Sequence, residues 1–202
     1  DRSTLGIPPK SIRAMFVGRL DAQKDVPTLL IAANRVARLR PNWHLAIVGN
    51  GPEREPLLRS VEAKSFPAHQ LHWLGHRNDV PGLLKTADLL VLPSRWEGMP
   101  NVVLEAMAAR RPVVASAVEG TEDLVVPGVT GWLVPVGNPE ALTSALIEAA
   151  ANPDRLRAFG EAGRKRIEQH FSLSQVVQAY DNLWAAILGL ERPEQDALPG
   201  KR

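Results

Sequence analysis

The chain of 202 residues contains no cysteine. Disulfides, thiolate nucleophiles and cysteine-based zinc sites are therefore excluded. No apolar run approaches the roughly 18 residues that a membrane span needs. No strong charge of one sign is present either: 24 Lys and Arg face 22 Asp and Glu, for a net charge of +2. That balance gives no argument for a nucleic-acid partner. Basic groups at Arg35, Arg38 and Arg40, at Arg110 and Arg111, and at Arg164, Lys165 and Arg166 read first as solvated helix faces. His44, His69, His72 and His170 show no metal-ligand spacing. No internal repeat or low-complexity segment occurs. No positively charged stretch followed by an apolar core opens the chain, so no signal peptide is expected. The chain begins at Asp1, without methionine, and is expected to be cut from something longer. A cytoplasmic setting is the default expectation.

What is present fits a soluble globular protein: 45% hydrophobic and 23% charged residues argue against disorder. Short apolar runs stand at 14–18, 44–49, 71–75, 88–94, 112–116 and 131–135. They are dense in Val, Leu and Ile rather than alternating, as expected of strands covered on both faces. Helical patterns lie between them, at 26–40, 53–64, 79–87, 101–110 and 139–151. In the first, Leu29, Leu30, Ala33, Val36 and Ala37 keep the helical period, and Asp25 is the expected N-cap. The rhythm predicts a doubly wound α/β fold with a mostly parallel six-stranded sheet. After residue 152 two helices are predicted, 153–171 and 172–190, with Ser172 or Ser174 capping the second. Val176, Val177, Tyr180, Leu183, Trp184 and Ile187 give that helix an apolar stripe, either core or cover for a part not in this chain. One domain is expected at 11–190, with linker at 1–10 and a tail at 191–202.

Ligands of an open parallel sheet bind outside the carboxyl ends of its strands. After the first strand, Gly18, Arg19 and Lys24 place two cations beside a glycine turn and a helix start, which suits a diphosphate. After the second, Gly49 and Gly51 resemble half of a dinucleotide motif. Arg54 stands where its third glycine belongs, and no acidic residue follows at the ribose-binding distance. No Walker phosphate loop occurs. After the third, His76 and Arg77 follow Gly75 in a loop. After the fourth comes PSRWEGMPNVVLEAMA. Here Pro100 and Asn101 start a helix, and the amides of Asn101, Val102 and Val103 are expected to be free donors. Glu105 lies about one turn in and suits a ribose, because a carboxylate accepts from vicinal hydroxyls. Glu97 precedes the helix. After the fifth, Glu119, Gly120 and Thr121 turn into another helix, where capping and ligand contact stay equally open.

Glu97 and Glu105, separated by seven residues in EGMPNVVLEAMA, resemble the E-x7-E motif of retaining glycosyltransferases of the GT-B fold, family 4, also called group 1. FVGRL with Lys24, IVGNGPE, LGHRNDV, ADLLVLPS, RPVVAS and GVTGWLVP occur in the family's order along nearly the whole chain, and HFSLSQVVQAYDNLW resembles its closing helix. The resemblance implies the carboxy-terminal, Rossmann-like, donor-binding half of such an enzyme. The amino-terminal acceptor domain would be a partner missing from this chain, which alone is expected to be inactive. It implies that Arg19 and Lys24 hold the donor diphosphate, Glu105 the ribose, and Glu97 the transferred sugar or its phosphate region. Gly18, Gly98, Met99, Pro100, Asn101 and Val102 would complete the donor contacts, and the backbone near Arg77 would meet the base. The implied donor is a UDP- or GDP-linked sugar, with no cofactor and no metal. Peripheral association of the parent with the inner face of a membrane stays open. Two departures from the family pattern stand out: Asp25 replaces a frequent glycine after the lysine, and Arg111 a frequent glycine before Pro112. The first is expected to set an acid beside the phosphates, the second to alter packing. Alternative readings are a non-catalytic sugar-nucleotide-binding module, another GT-B enzyme such as an epimerase or phosphorylase, and a doubly wound signalling domain. The last usually carries an acidic cluster at its strand ends, where this chain has Arg19, Lys24 and Glu97.

Overall fold

The computed structural model describes residues 7–67 and 69–189. The expected tail at 191–202 and most of the expected linker lie outside them, whereas Ile7, within that linker, is buried. Six strands form one parallel sheet: β1 (Ile12–Val17), β2 (Trp43–Val48), β3 (Leu71–Gly75), β4 (Leu89–Leu92), β5 (Val113–Ser116) and β6 (Gly131–Val134). Their order in the sheet is β3-β2-β1-β4-β5-β6. The order reverses between β1 and β4, and the carboxyl edge at such a reversal is where an open sheet of this kind forms its ligand crevice. The doubly wound parallel expectation is met.

The strands β2, β4 and β5 are buried at every position, which explains their unbroken apolar runs. Helix α1 (Val26–Leu39) buries all five residues of its expected stripe and packs against α7 (Pro139–Ala151). The segment expected as one helix at 53–64 is two: α2 (Arg54–Arg59) and α3 (Val61–Ser65). Ser60 separates them in extended conformation, and its hydroxyl accepts from the Ala63 amide. A serine that caps the next helix cannot also continue the previous one. Short helices α4 (Val80–Leu84), α5 (Asn101–Ala108) and α6 (Glu119–Glu122) complete the layers.

Among the described residues, two non-glycine residues adopt left-handed backbone, Asp25 (φ 45°) and Arg110 (φ 59°). Asp25 precedes α1, as expected of its N-cap, but its side chain caps nothing. The left-handed residue at the end of α5 is Arg110, and Arg111, the expected departure from the family pattern, follows it. The Arg110 amide bonds the Met107 carbonyl and the Arg111 amide the Ala106 carbonyl, which closes the helix through a left-handed residue.

The chain divides into two compact units, Asp1–Lys165 and Arg166–Arg202. Helix α8 (Pro153–His170) begins in the first. Helix α9 (Leu173–Leu188) belongs to the second; Ser172 caps it, and its six stripe residues are exposed.

Candidate functional site

The loop after β1 is a single 3-10 turn, Ala22–Lys24, held against its neighbours by backbone contacts. Gly49 has φ 140°, and a Cβ there would stand 1.8 Å from the Gly18 carbonyl oxygen. A Cβ on Gly51 would stand 2.3 Å from the Leu20 carbonyl oxygen. The two glycines after β2 therefore admit the β1 loop and are not a dinucleotide cradle. The Leu20 amide donates to the Asn50 carbonyl and the Glu53 amide to that of Leu20, which fixes the loop's height above the sheet.

The loop after β4 is tied to the same turn. The Arg95 amide donates to the Gln23 carbonyl at 2.8 Å, and Gln23 Nε2 donates to the Trp96 carbonyl at 2.9 Å. These bonds bring Lys24 and Glu97 together across the topological reversal. Lys24 Nζ lies 2.5 Å from Glu97 Oε1, with side chains only 16% and 6% exposed. Ser94 Oγ donates to the same oxygen at 2.6 Å. Both donors use Oε1, so Oε2 is left for other partners. Charge-assisted bonds of this kind are roughly twice as strong as neutral ones. Ser94, Gln23 and Trp96 had no assigned place in the sequence reading. A hydroxyl three residues before a turn carboxylate was the available signal for Ser94.

The other expected site residues separate into two places. Gly18, Arg19 and Arg77 line a cavity of about 380 Å³ with Gly49, Asn50 and His76, at the ends of β1, β2 and β3. Lys24, Glu97 and Glu105 do not line it. The Arg19 side chain is 73% exposed, with Nε 3.6 Å from Asp21 Oδ2. The Arg77 side chain makes a two-point pair with Asp79, at 2.8 and 2.7 Å. That pairing raises the Arg77 pKa and lowers the Asp79 pKa.

The second place is the start of α5. Gly98, Met99 and Asn101 are exposed, Val102 is half-buried and Pro100 is buried. The Val103 amide, expected to be free, donates to the Pro100 carbonyl at 2.9 Å. A tight first turn claims it, leaving Asn101 and Val102 at the open end of the helix. Glu105 is exposed, and among the described residues it has no ion-pair partner. A Cβ on Gly120 would lie 2.1 Å from the Gly98 carbonyl oxygen, so the turn after Glu97 rests directly on α6. Thr121 is fully buried, donates to the Ser116 carbonyl and accepts from the Val118 amide, which assigns it to the turn. Among the described residues no group of three or more His, Asp or Glu side chains is placed to hold a metal ion.

Known proteins resemble this chain in sequence and in fold. The pattern of glycosyl transferases group 1 matches residues 1–166. The chain is 30% identical over 182 residues to the UDP-Gal:alpha-D-GlcNAc-diphosphoundecaprenol alpha-1,3-galactosyltransferase of Escherichia coli, covering 89% of this chain and 47% of the relative. The structure of Anabaena HepE in complex with UDP superposes with a TM-score of 0.83 at 23% identity, covering 92% of this chain and 51% of that one. The C-terminal domain of a glycosyl transferase group 1 family protein from Francisella tularensis superposes with a TM-score of 0.76 at 20% identity, covering 83% of this chain and 89% of that one. These two structures show the fold, a Rossmann-like sheet as in the GT-B glycosyltransferases. The chain spans about half the length of the curated relatives it matches. With the family's pattern matched over residues 1–166, the chain belongs to the glycosyl transferases group 1 family.

Proposed function

We propose that this chain is the donor-binding half of a retaining, metal-independent glycosyltransferase whose acceptor domain lies elsewhere in the parent protein. The observation that carries the reading is the Lys24–Glu97 pair, held by Ser94 beside the start of α5. It sets a cation, a carboxylate and a helix N-terminus at one crevice. In this reading the cavity lined by Gly18, Arg19 and Arg77 takes the base, and Glu105 takes the ribose hydroxyls. Lys24, Arg19 and the amides of Asn101 and Val102 meet the diphosphate, while Glu97, Gly98 and Met99 meet the transferred sugar.

The bond between the sugar and the diphosphate breaks, and its electron pair leaves with the diphosphate. The cations and the helix dipole take up that charge, the task a metal ion would otherwise perform. An acceptor oxygen forms the new bond on the same face, and its proton passes to the departing phosphate oxygen. Neither glutamate has to act as a general base.

Uridine is the first base to test, because the Escherichia coli relative is a UDP-Gal transferase and the Anabaena structure holds UDP. The experiment is calorimetric titration of the chain with UDP, GDP, ADP and their sugar conjugates, with and without EDTA. Saturable, EDTA-insensitive binding of UDP supports the reading. Binding that EDTA abolishes overturns its metal-free part.

A further inference from the structure

A second cavity, of about 300 Å³, opens between the starts of α1 and α2 and the loop after β4. Asp25, Glu53, Arg95 and Trp96 line it, over a floor of Ala22 and Pro27. None of these side chains has a role in the donor reading above. Two observations mark the cavity as built for a ligand. The Asp25 side chain is 2% exposed, and its Oδ2 has no hydrogen-bond partner among the described residues. Glu53 Oε2 is likewise buried without one. A buried acceptor left unsatisfied costs about 1–3 kcal/mol; among the described residues Glu53 Oε2 has no hydrogen-bond partner, and Asp25 Oδ2 has only the Arg95 guanidinium at 3.4 Å.

Asp25 is held in this position at a cost. It occupies left-handed backbone, where a glycine would sit without strain, and it forgoes the capping bond its position offers. Its carboxylate turns to Arg95 instead. That contact is loose: Nε stands 3.4 Å from Oδ2 and Nη2 stands 3.5 Å from Oδ1. A well-formed charge-assisted bond measures about 2.7–2.9 Å.

The surrounding charges select the ligand class. An anion would face two carboxylates. A cation would lie beside the Arg95 guanidinium. A neutral ring bearing several hydroxyls meets neither repulsion: its hydroxyls donate to Asp25 and Glu53, its oxygens accept from Arg95, and its C–H face lies on an indole. Trp96 supplies that indole and is 57% exposed. We propose that this cavity is a subsite for a neutral sugar ring other than the one carried by the nucleotide. It adjoins the crevice through the chain itself, since Asp25 follows Lys24 and Trp96 precedes Glu97. The proposal rests on the donor reading only for which ring occupies it: a unit of the acceptor, next in the chain to the Lys24–Glu97 pair.

The test is an NMR titration of the chain with methyl α-D-glucopyranoside, methyl α-D-galactopyranoside and methyl α-D-mannopyranoside. Glucosamine and glucuronate serve as the cationic and anionic counterparts. The Trp96 indole N–H signal, assigned by its loss in Trp96→Phe, is the readout, and each titration is run with and without UDP. The expected result is a saturable shift with at least one neutral glycoside. Glu53→Gln and Asp25→Gly should each weaken it at least fivefold, while UDP affinity does not fall. Asp25→Gly also relieves the backbone, so loss of binding in that variant is not loss of fold. No shift with any neutral glycoside overturns the proposal, as does an equal or larger shift with glucosamine or glucuronate. UDP binding without a glycoside shift sinks the subsite and leaves the donor reading standing. A glycoside shift in a chain that binds none of UDP, GDP and ADP does the reverse.

Discussion

Lys24 carries its charge against Glu97 with both side chains largely out of water, so replacing it has two separable effects. A charge-assisted bond to a diphosphate is worth about 1.5–3 kcal/mol. Lys24→Met should therefore weaken UDP binding by at least tenfold and leave uridine binding nearly unchanged. An equal loss for the two ligands would remove Lys24 from the diphosphate. The same change strips Glu97 of its cation, leaving only the Ser94 hydroxyl on Oε1. Stability should fall by about 3 kcal/mol or more, and Glu97→Gln in the same chain should recover most of it, because the uncompensated charge is then gone. Arg110 tests backbone strain without touching the crevice. Its left-handed conformation costs a non-glycine residue about 1 kcal/mol, and its pair with Glu161 is exposed on both sides and contributes little. Arg110→Gly should raise stability by about 0.5–1 kcal/mol, seen as a midpoint shift of roughly 2 °C in thermal unfolding.

At the scale of elements, the glycines after β2 are the clearest case of a motif whose function is packing. Gly49→Ala would drive a Cβ into the Gly18 carbonyl at a backbone angle that only glycine adopts freely. The expected loss is about 3 kcal/mol or more, near 10 °C in midpoint for a chain of this size. A calorimetric scan that finds less than 1 kcal/mol would show that the β1 loop yields, and that its height above the sheet is not set there. The same loop shows what could be read from the chain alone. Strands β2, β4 and β5 were legible because burial at every position writes a dense apolar run, and α1 because its stripe keeps the helical period through five buried residues. The break at Ser60 was not legible, because a serine in a helical pattern signals neither continuation nor a new cap until its hydroxyl has found Ala63. The pairing of Lys24 with Glu97 was also hidden. The two residues are 73 positions apart, and the resemblance that set one on the diphosphate and the other on the transferred sugar or its phosphate region gave them a shared ligand but no bond to each other. The hydrogen bond from the Arg95 amide to the Gln23 carbonyl, which helps create that contact, joins backbone atoms and leaves no trace in residue type. The Val103 amide failed as a free donor for a like reason: the count of open helix amides depends on how tightly the first turn closes.

For the molecule as a whole, acid stability depends on the end of the sheet away from the crevice. His44 near the start of β2 stands opposite Arg13 of β1 in register, and its Nδ1 lies 3.1 Å from Nε2 of His72 on β3. The two rings stack at 5.3 Å between centroids, and His69 approaches His44 edge-on at 6.3 Å. Burial of His44, then the neighbouring His72, His69 and Arg13, lowers its pKa from 6.5 to about 4, against a raising contribution from a backbone hydrogen bond of His69. Burial also lowers the pKa of His72, with Arg13 and His69 adding to the effect. The folded chain thus binds fewer protons than the unfolded chain between these values. Stability is then fully present above pH 6.5, declines as pH falls toward 4, and stops declining from this source below that. For His44 alone the span corresponds to a loss of the order of 3 kcal/mol. Asp79 and Glu140, whose pKa values are lowered by Arg77 and Arg35, contribute stability that is lost only at lower pH, below their ordinary values. The window from pH 6.5 to 4.5 therefore isolates the histidines. Urea unfolding of the chain at intervals across that window should show stability falling steadily. His44→Gln should flatten the slope, since a neutral side chain at that position has no proton to gain on unfolding. Parallel slopes for the two proteins would place the acid sensitivity outside the β1–β2–β3 edge. A flattened slope with unchanged UDP affinity at pH 7 would show that the sheet's two ends are energetically separate, one holding the fold against acid and the other holding the ligand.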